Sequence, residues 1–494
     1  MEIAVFVLYF VLMMCIGIYF FVKDRNSGGE KDYFLGNRQM GPWVTAMSAQ
    51  ASDMSAWLLM GLPGSILAVG FGKVWIGIGL ALGTIANWIF VAARLRRFSK
   101  AAGDAITLPQ YLSNRFASSG KSLQVICAVI FLGFFTIYVA SSFVAGATVF
   151  TSVFPKMSNN TAMLIFALII LAYTFLGGFK AVCWTDFFQG SLMLIALLAV
   201  PIVVAFVGGC DFSALQAQVV GEKSVEAFNT NLFAADWKDI VSGLTWGLGY
   251  FGMPHILVRF MSIKKASMVK KSATVACIWV VLSLAATCAI AYLGRAMGGV
   301  DLIVAGKPET VFIFMARKLF PPVIAGILLA AIIAASMSTA DSQMLVASSS
   351  FTSDIYHPLI RKNADNKELL WVGRLIVLLV ALVAFFIAKA TKGEGAIMTL
   401  VDDAWGGFGS AFGPVVILSL FWRRLTYKGA LAGIIGGAAM DIFWLLCCSS
   451  TGIYELLPGF VFGLICTVVV TLIDKKPSDK VTEIFDTAMA AGDE

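Results

Sequence analysis

A carboxylate and two hydroxyls lie in the middle of an apolar stretch near the start of the chain, where residues 51–55 read Ala-Ser-Asp-Met-Ser. Residues 61–64, Gly-Leu-Pro-Gly, follow shortly, and both glycine and proline interrupt helices. Within a membrane, lipid offers backbone groups no partner, and a charge is costly. The sequence therefore predicts a broken helix that faces protein or a water-filled cavity and that holds ions and a solute.

A second polar cluster lies far along the chain, where residues 334–343 read Ala-Ala-Ser-Met-Ser-Thr-Ala-Asp-Ser-Gln. On a helix, Ala335, Ser338, Thr339 and Ser342 share one face, and Asp341 flanks it. Sodium, like other hard cations, prefers oxygen ligands, which hydroxyls and the carbonyls of a broken helix both supply. Hydroxyls also join helices or bond to the preceding turn. The cluster as a whole favours an ion site.

The remaining carboxylates near or inside apolar stretches have less certain roles. Asp53 either binds the ion directly or caps and orients the broken helix. Asp186 lies at the predicted cytoplasmic end of the sixth apolar span, where an N-cap role is favoured over an ion role. Asp402 and Asp403 fall near the expected outer vestibule, and no role is assigned to Asp441.

Another interrupted stretch occurs at residues 246–254, which contain three glycines and a proline. An uninterrupted helix is not expected there. Trp246, Tyr250 and Tyr138 lie near the middle of their apolar spans, beside small or broken stretches. Together they predict a wall for a compact, partly apolar solute, although each residue taken alone fits an ordinary core position.

Composition identifies a polytopic membrane protein. Of the 494 residues, 59% are hydrophobic and only 13% are charged, and the mean hydropathy is +0.87. Soluble domains of this size do not combine these values. The net charge of +7 does not indicate nucleic acid, because the basic residues form short clusters between apolar spans. Nine scattered cysteines without a CxxC motif and two histidines give no disulfide framework or zinc site.

Thirteen apolar spans of membrane length follow one another along the chain. They lie near residues 3–22, 42–70, 74–93, 122–152, 160–179, 187–208, 236–258, 272–297, 321–349, 369–390, 395–422, 428–447 and 453–473. Lys and Arg gather in alternate loops in a pattern that places the N-terminus outside and the C-terminus in the cytoplasm. The whole chain, 1–494, is then one transmembrane domain.

The two broken spans are the second and the seventh, five apart. Interrupted segments at matching positions of two five-helix halves indicate an inverted-repeat transporter. The predicted organisation is a peripheral first helix, one repeat at 42–208, a second at 236–422, two additional helices at 428–473 and a cytoplasmic tail at 474–494.

These motifs together resemble those of the sodium:solute symporter family, and within it the members that carry proline. The resemblance extends over nearly the whole chain in order. The matching stretches are 51–64 (ASDMSAWLLMGLPG), 134–138 (FFTIY), 177–179 (GGF) with 184–186 (WTD), 246–252 (WGLGYFG) with 254–255 (PH), 337–339 (MST), and 454–455 (YE) with 458–460 (PGF).

The resemblance implies an all-α, thirteen-helix form of the LeuT-like fold, with a core of five plus five inverted-repeat helices. It also implies a sodium ion bound by the carbonyls of Ala51, Met54 and Ala335 and the hydroxyls of Ser338 and Thr339. Asp53 is implied to be critical for sodium. Some relatives carry a second sodium, for which the matching positions are Ser338, Asp341, Ser342 and Asp186.

The solute implied by the resemblance is proline, lying against Ser55, Tyr138, Trp246, Tyr250 and Pro254. Some proline carriers have glycine where this chain has Ala56, so a slightly tighter pocket is expected.

The expected function is sodium-coupled import of L-proline by alternating access in the cell membrane. Sodium is the expected coupling ion, with no organic cofactor, nucleic acid or obligate protein partner. Another small amino acid or a betaine-like solute is the alternative within the family. A proton-coupled carrier that titrates Asp53 or Asp341 is a second alternative. A membrane enzyme is disfavoured, because the sequence shows no convincing nucleophile–base motif.

Overall fold

The computed structural model describes residues 2–24, 29–117, 120–176, 178–220, 223–391 and 395–492. Gly177, part of the 177–179 motif, lies outside the described residues, as do the last two residues of the tail. The described chain is built almost entirely from helices. The first ten are α1 Glu2–Asp24, α2 Glu30–Leu35, α3 Pro42–Asp53, α4 Leu62–Val69, α5 Val74–Ala86, α6 Ala93–Ala101, α7 Leu108–Arg115, α8 Ser122–Val153, α9 Asn159–Leu176 and α10 Phe179–Val207.

The second half continues in the same way. Its helices are α11 Trp237–Thr245, α12 Pro254–Ser262, α13 Val269–Ala296, α14 Val300–Val304, α15 Val311–Leu319, α16 Pro322–Ser350, α17 Asn366–Ala390, α18 Ala396–Phe421, α19 Tyr427–Cys447, α20 Leu456–Ile473 and α21 Asp479–Ala490. Three wider π-helical segments extend or join helices, at Trp57–Gly61, Asn87–Ala92 and Phe351–Ile360. Tighter 3₁₀ turns lie at Gly36–Arg38, Phe71–Lys73, Phe212–Leu215, Leu232–Ala234, Trp246–Phe251, Ala266–Met268, Pro308–Thr310 and Ser449–Thr451.

The described part contains one small β-element, in the loop between α10 and α11. Strands β1 Gln218–Val220 and β2 Lys223–Val225 pair antiparallel, with Val219 opposite Ser224. Apart from this ribbon, the prediction of an all-α membrane protein is confirmed.

The helices have the length and composition of membrane spans. Among the described residues, ten helices are long and apolar enough to cross a membrane, or eleven if α3 and the bent segment after it form one span. That pair is bent by 59°, as expected for the predicted break. A shorter apolar helix covers 159–175. The polytopic class is therefore confirmed, while this count does not confirm the number thirteen.

Burial divides the spans into a core and a periphery. The most apolar windows of α16 and α18 are each 83% buried, whereas that of α1 is 22% buried. Helix α16 packs against α8, α10, α3 and α1. A helix surrounded in this way can carry polar groups that never meet lipid, and α16 carries the hydroxyl cluster.

The sixth span begins earlier than predicted. Helix α10 starts at Phe179, not near 187, and its N-cap is Gly178. The N-cap role favoured for Asp186 is therefore wrong. Two charged residues near the start of α10 are paired: Lys180 lies 2.6 Å from an oxygen of Asp32, and Asp186 pairs with Arg259 at 3.1 Å. Paired charges do not interrupt a buried helix.

The polar tail is also more ordered than the sequence suggested. Helix α21 packs against α6, with the rings of Phe98 and Phe485 5.2 Å apart. The buried Arg115 donates to the carbonyl oxygens of Ser419 and Val481, at 3.1 and 3.0 Å. The tail thus contacts the end of α18 through one arginine.

Candidate ion and solute site

The predicted break in the second span frees a backbone carbonyl. Helix α3 ends at Asp53, and Met54 leaves helical geometry with φ −83° and ψ 75°. The amide of Ser55 then donates to the carbonyl of Asp53 at 3.0 Å. In a continuous helix that amide would bond to Ala51. The carbonyl of Ala51 therefore becomes an available oxygen inside the protein.

The freed carbonyl meets the hydroxyl face of α16. The hydroxyl of Ser338 donates to Ala51 O at 2.7 Å and lies 3.1 Å from Ala335 O. The hydroxyl of Thr339 lies 3.4 Å from the same Ala51 oxygen. Four of the predicted sodium ligands thus form one fully buried oxygen cluster. Met54 is also fully buried, but in the described chain no hydrogen bond joins its carbonyl to this cluster.

Asp53 connects the two interrupted spans. Its Oδ2 accepts a hydrogen bond from the hydroxyl of Tyr250 at 2.6 Å, and its carbonyl lies 3.4 Å from the hydroxyl of Tyr138. Its Oδ1 has no partner among the described residues. The contact with Tyr250 fits the orienting role, because it fixes the carboxylate against the opposite broken helix.

The seventh span is interrupted, as the sequence predicts. Helix α11 ends at Thr245, a 3₁₀ segment runs over Trp246–Phe251, and α12 begins at Pro254. Glycine is required for the close approach of α18 here. A Cβ on Gly249 would lie 2.0 Å from Trp405 Nε1, and one on Gly252 would lie 2.4 Å from the carbonyl oxygen of Phe408.

Aromatic rings form one side of this region. Trp246 lies 6.4 Å from Trp57, 6.0 Å from Trp405 and 5.2 Å from Tyr454, between ring centroids. Trp405 also donates its indole N–H to Trp246 O at 2.9 Å. The sequence reasoning did not assign a role to Trp57, Trp405 or Tyr454. Trp57 lies in the 51–64 motif and Tyr454 in the 454–455 motif, and Trp405 is followed by two glycines. These features of the sequence pointed to the three residues.

The predicted solute residues converge only in part. Tyr138 and Tyr250 both reach Asp53. Pro254 begins α12 and is buried, and the ring of the next residue, His255, lies 6.3 Å from that of Tyr138. Ser55 is buried in the break itself. These contacts bring the two broken spans and α8 to one region beside the oxygen cluster.

Two of the positions predicted for a second sodium bind the side chain of a buried arginine. Arg259 donates to Asp186 Oδ2 at 3.1 Å and to Ser342 Oγ at 2.5 Å. Arg259 directly follows the predicted seventh span, 236–258, where the sequence predicts a loop, but it lies in α12 and is 1% exposed. Asp341 is fully buried, and neither carboxylate oxygen has a hydrogen-bond partner in the described chain.

A short segment covers the second half of the broken second span. A Cβ on Gly64 would lie 2.7 Å from the backbone of Glu309. Burial raises the pKa of Glu309 to about 7, against the lowering effect of the backbone N–H groups of Ile397 and Met398. A cavity of about 1100 Å³ adjoins this segment and includes Lys307 in its lining. Sequence reasoning did not identify Glu309, which lies in a loop.

Of the other acids near these spans, Asp441 bonds through its carboxylate, whereas Asp402 bonds through its backbone and its Oδ1 has no partner among the described residues. Asp441 accepts a hydrogen bond from Ser410 at 2.9 Å, which joins α19 to α18. The hydroxyl of Tyr454 donates to the backbone carbonyl of Asp402 at 2.8 Å. These contacts tie α18 to α19 and to the loop that precedes α20.

Sequence comparison finds related transporters. Residues 33–437 match the sodium:solute symporter family. The chain is 46% identical to the sodium/proline symporter of Escherichia coli K12, over 98% of this chain and 95% of that protein. It is 43% identical to the high-affinity proline transporter PutP of Bacillus subtilis, over 96% and 98% of the two chains.

Solved structures share the fold. A Na⁺-coupled sialic acid symporter, solved in a substrate-bound outward-open state, aligns with a TM-score of 0.77 at 17% identity, over 97% of this chain and 98% of that chain. A nucleobase-cation-symport-1 family transporter aligns with a TM-score of 0.53 at 13% identity, over 92% and 98%. The predicted LeuT-like fold class is confirmed.

Proposed function

The chain belongs to the sodium:solute symporter family, and from this premise we propose that it imports L-proline together with sodium by alternating access. It is a multi-pass membrane transporter and not an enzyme. Sodium is its coupling ion. The choice of proline rests on the names of relatives that are 40–46% identical over nearly the whole chain.

The observation that carries the proposal is the freed carbonyl of Ala51 opposite Ser338 and Thr339. In the structure both hydroxyls donate to this carbonyl, Ser338 at 2.7 Å and Thr339 at 3.4 Å. A hydroxyl also has two acceptor lone pairs, so a small rotation turns each group into a ligand. Sodium binding would thus exchange a hydrogen-bonded contact between α3 and α16 for an ion-bridged one, completed by the carbonyls of Ala335 and Met54.

We assign the solute to the region beside the oxygen cluster, and Ser55 connects the ion site to the solute site. Ser55 lies one residue after Met54, so an ion that orders the break also orders the solute wall. Tyr138, Trp246, Tyr250 and Pro254 offer the apolar surface that a pyrrolidine ring requires. The start of the helical segment after the break favours the carboxylate, because helix N-termini attract anions.

Access to this region is controlled at both ends in our proposal. On the outer side, the backbone at Glu309 lies directly on Gly64. On the inner side, Arg259 joins α12 to α10 and α16. Alternating access would open one of these contacts at a time. Two further expectations belong to this proposal: the repeats at 42–208 and 236–422, and an external N-terminus with a cytoplasmic C-terminus.

The energetics of one-to-one coupling are sufficient for concentrative uptake. One sodium ion that crosses about 100 mV supplies about 2.3 kcal/mol. A tenfold sodium gradient adds about 1.4 kcal/mol. The sum corresponds to proline accumulation on the order of several hundredfold.

Uptake into proteoliposomes tests the proposal. Purified protein should accumulate labelled proline when sodium is higher outside, and potassium or choline should not replace sodium. A pH gradient without sodium should drive nothing. Uptake that ignores the sodium gradient, or that a pH gradient alone drives, would refute sodium coupling.

Competition identifies the solute. An excess of unlabelled proline should abolish uptake, while other small amino acids and betaine should compete weakly. Equal competition by betaine would reassign the solute and leave sodium coupling intact. The assigned orientation predicts that a cysteine introduced in the tail reacts with an impermeant reagent only in inside-out vesicles.

A further inference from the structure

One buried arginine lies at the inner side of the oxygen cluster. Arg259 Nη2 lies 3.1 Å from Asp186 Oδ2 and 2.5 Å from Ser342 Oγ, and its Nε lies 3.1 Å from Ser48 Oγ. The same Ser48 hydroxyl donates to Asp186 Oδ2 at 2.6 Å. All four side chains are at most 1% exposed. Oxygens from α3, α10 and α16 thus surround one cationic group.

The guanidinium is held in place from its other sides. Its Nη1 donates to the carbonyl of His255 at 2.7 Å, and its carbon lies 5.3 Å above the ring of Phe179. An arginine that is hydrogen-bonded and stacked in this way loses little further freedom, because its planar fork is already oriented. The side chain is therefore fixed and not a mobile surface cation.

This arrangement coincides with the positions that the sequence resemblance implied for a second sodium. Ser342 and Asp186 are two of those positions, and both already bind Arg259. A sodium ion between them would lie within a few ångströms of the guanidinium charge. Repulsion at that distance is strong in a site from which water is excluded. Among the described residues, Asp341, which belongs to the same predicted set, has no hydrogen bond to Arg259.

We infer that the Arg259 guanidinium is the resident cation of this position and that it replaces a second coupling sodium. The chain would then bind one sodium, at the Ala51–Ser338 cluster, for each solute. Arg259 is a positioning residue that sets the ion stoichiometry, and it contacts neither the solute nor the first ion. The inference rests on the proposed sodium-coupled function and adds its stoichiometry.

Sodium titration of the purified full-length protein tests the number of bound sodium ions without a transport assay. Tryptophan fluorescence is followed as sodium is added in the absence of solute. The wild type should give a Hill coefficient of about one, and Arg259→Gln should raise it toward about two, since the vacated oxygens then bind an ion. Arg259→Lys keeps a fixed cation and should restore the wild-type value.

A matched control separates this effect from the loss of any buried arginine. Arg295 is fully buried as well, and it donates to the backbone carbonyls of Ala214 and Glu226 in the outer loop. Arg295→Gln should leave the Hill coefficient at the wild-type value. An increase in this control equal to that in Arg259→Gln would overturn the inference.

The remaining outcomes also test the inference. A folded Arg259→Gln protein with an unchanged Hill coefficient overturns the inference. If that variant does not fold, Asp186→Asn with Arg259→Gln removes both charges and should fold with a Hill coefficient of about one. In the wild type, reversal of uptake should give a sodium-to-proline ratio of about one, and a ratio of about two overturns the inference. Uptake indifferent to sodium would instead refute the proposed function.

Discussion

Replacing Ser338 by alanine removes the hydroxyl that lies nearest to the freed carbonyl of Ala51. With sodium bound, the variant lacks one ligand, and a bond to a charged group contributes about 1.5–3 kcal/mol. Without sodium, the variant lacks the 2.7 Å hydrogen bond to Ala51, and such a bond contributes about 0.5–1.5 kcal/mol. Both states lose stability, so only the difference, about 1–1.5 kcal/mol, weakens sodium binding. This raises the half-saturating sodium concentration roughly 5- to 12-fold.

Initial rates of proline uptake at varied sodium measure this change. Ser336→Ala is the matched control, because Ser336 is equally buried on the same helix and its hydroxyl bonds to the preceding turn, at Ile332 O. The control should keep the wild-type sodium requirement. At saturating sodium, Ser338→Ala should keep the wild-type ranking of competing solutes.

Thr339→Ala extends the test, since its hydroxyl lies 3.4 Å from the same carbonyl. The sodium-free state loses less in this variant, so the sodium requirement should rise at least as much. An unchanged sodium requirement in both variants would refute the assigned ion site. A changed solute ranking with an unchanged sodium requirement would move these hydroxyls to the solute.

Three further changes test the surrounding structure. Gly249→Ala would place a Cβ 2.0 Å from Trp405 Nε1, and overpacking of this kind costs about 1–3 kcal/mol, so the melting temperature should fall and uptake should be lost. Tyr250→Phe leaves Asp53 Oδ2 without its 2.6 Å partner, and an unpaired buried group costs about 1–3 kcal/mol, so uptake kinetics should show higher half-saturating sodium and proline. Burial raises the pKa of Glu309 from 4.5 to about 7. The folded chain therefore binds a proton that the unfolded chain releases, and stability falls as pH rises through this window. Glu309→Gln should remove up to about 3 kcal/mol of that dependence, seen as a flatter melting temperature against pH.

Each of these changes has a control in the same chain. A Cβ on Gly133 would meet nothing within 4 Å, so Gly133→Ala should be neutral. Tyr111→Phe removes a buried hydroxyl that bonds to Ser419 at 2.9 Å, and it should lower stability without changing the sodium requirement. Glu226 is exposed, so Glu226→Gln should leave the pH dependence unchanged. Control variants that behave like their partners would refute the local explanations.

The sequence predicted the interruption at 246–254 and the oxygen cluster because both depend on residue type: glycines and a proline mark the first, and Ser338 and Thr339 lie on one face of α16 by helical periodicity. The second span is also broken, but at Met54, and the chain stays helical through Gly61 and Pro63, the residues that suggested the break. The N-cap role of Asp186 was wrong, and the burial of Arg259 was missed, for a different reason. A charge near the end of an apolar stretch predicts a loop unless a partner is known, and these partners are 73 residues apart in sequence. Pairing at that separation is a property of the fold and not of local pattern.

The Ala51–Ser338 cluster and Arg259 contact the same two helices, but they have different consequences for coupling. The Ala51–Ser338 cluster joins α3 to α16, and Arg259 also joins α3 to α16 through Ser48 and Ser342. An ion at the first position dissociates in each cycle and carries charge and gradient energy across the membrane. A guanidinium at the second position neutralises a buried carboxylate in every cycle and cannot leave. In the inferred arrangement, Arg259 joins α3 and α16 without a second ion, so that one sodium crosses with each solute.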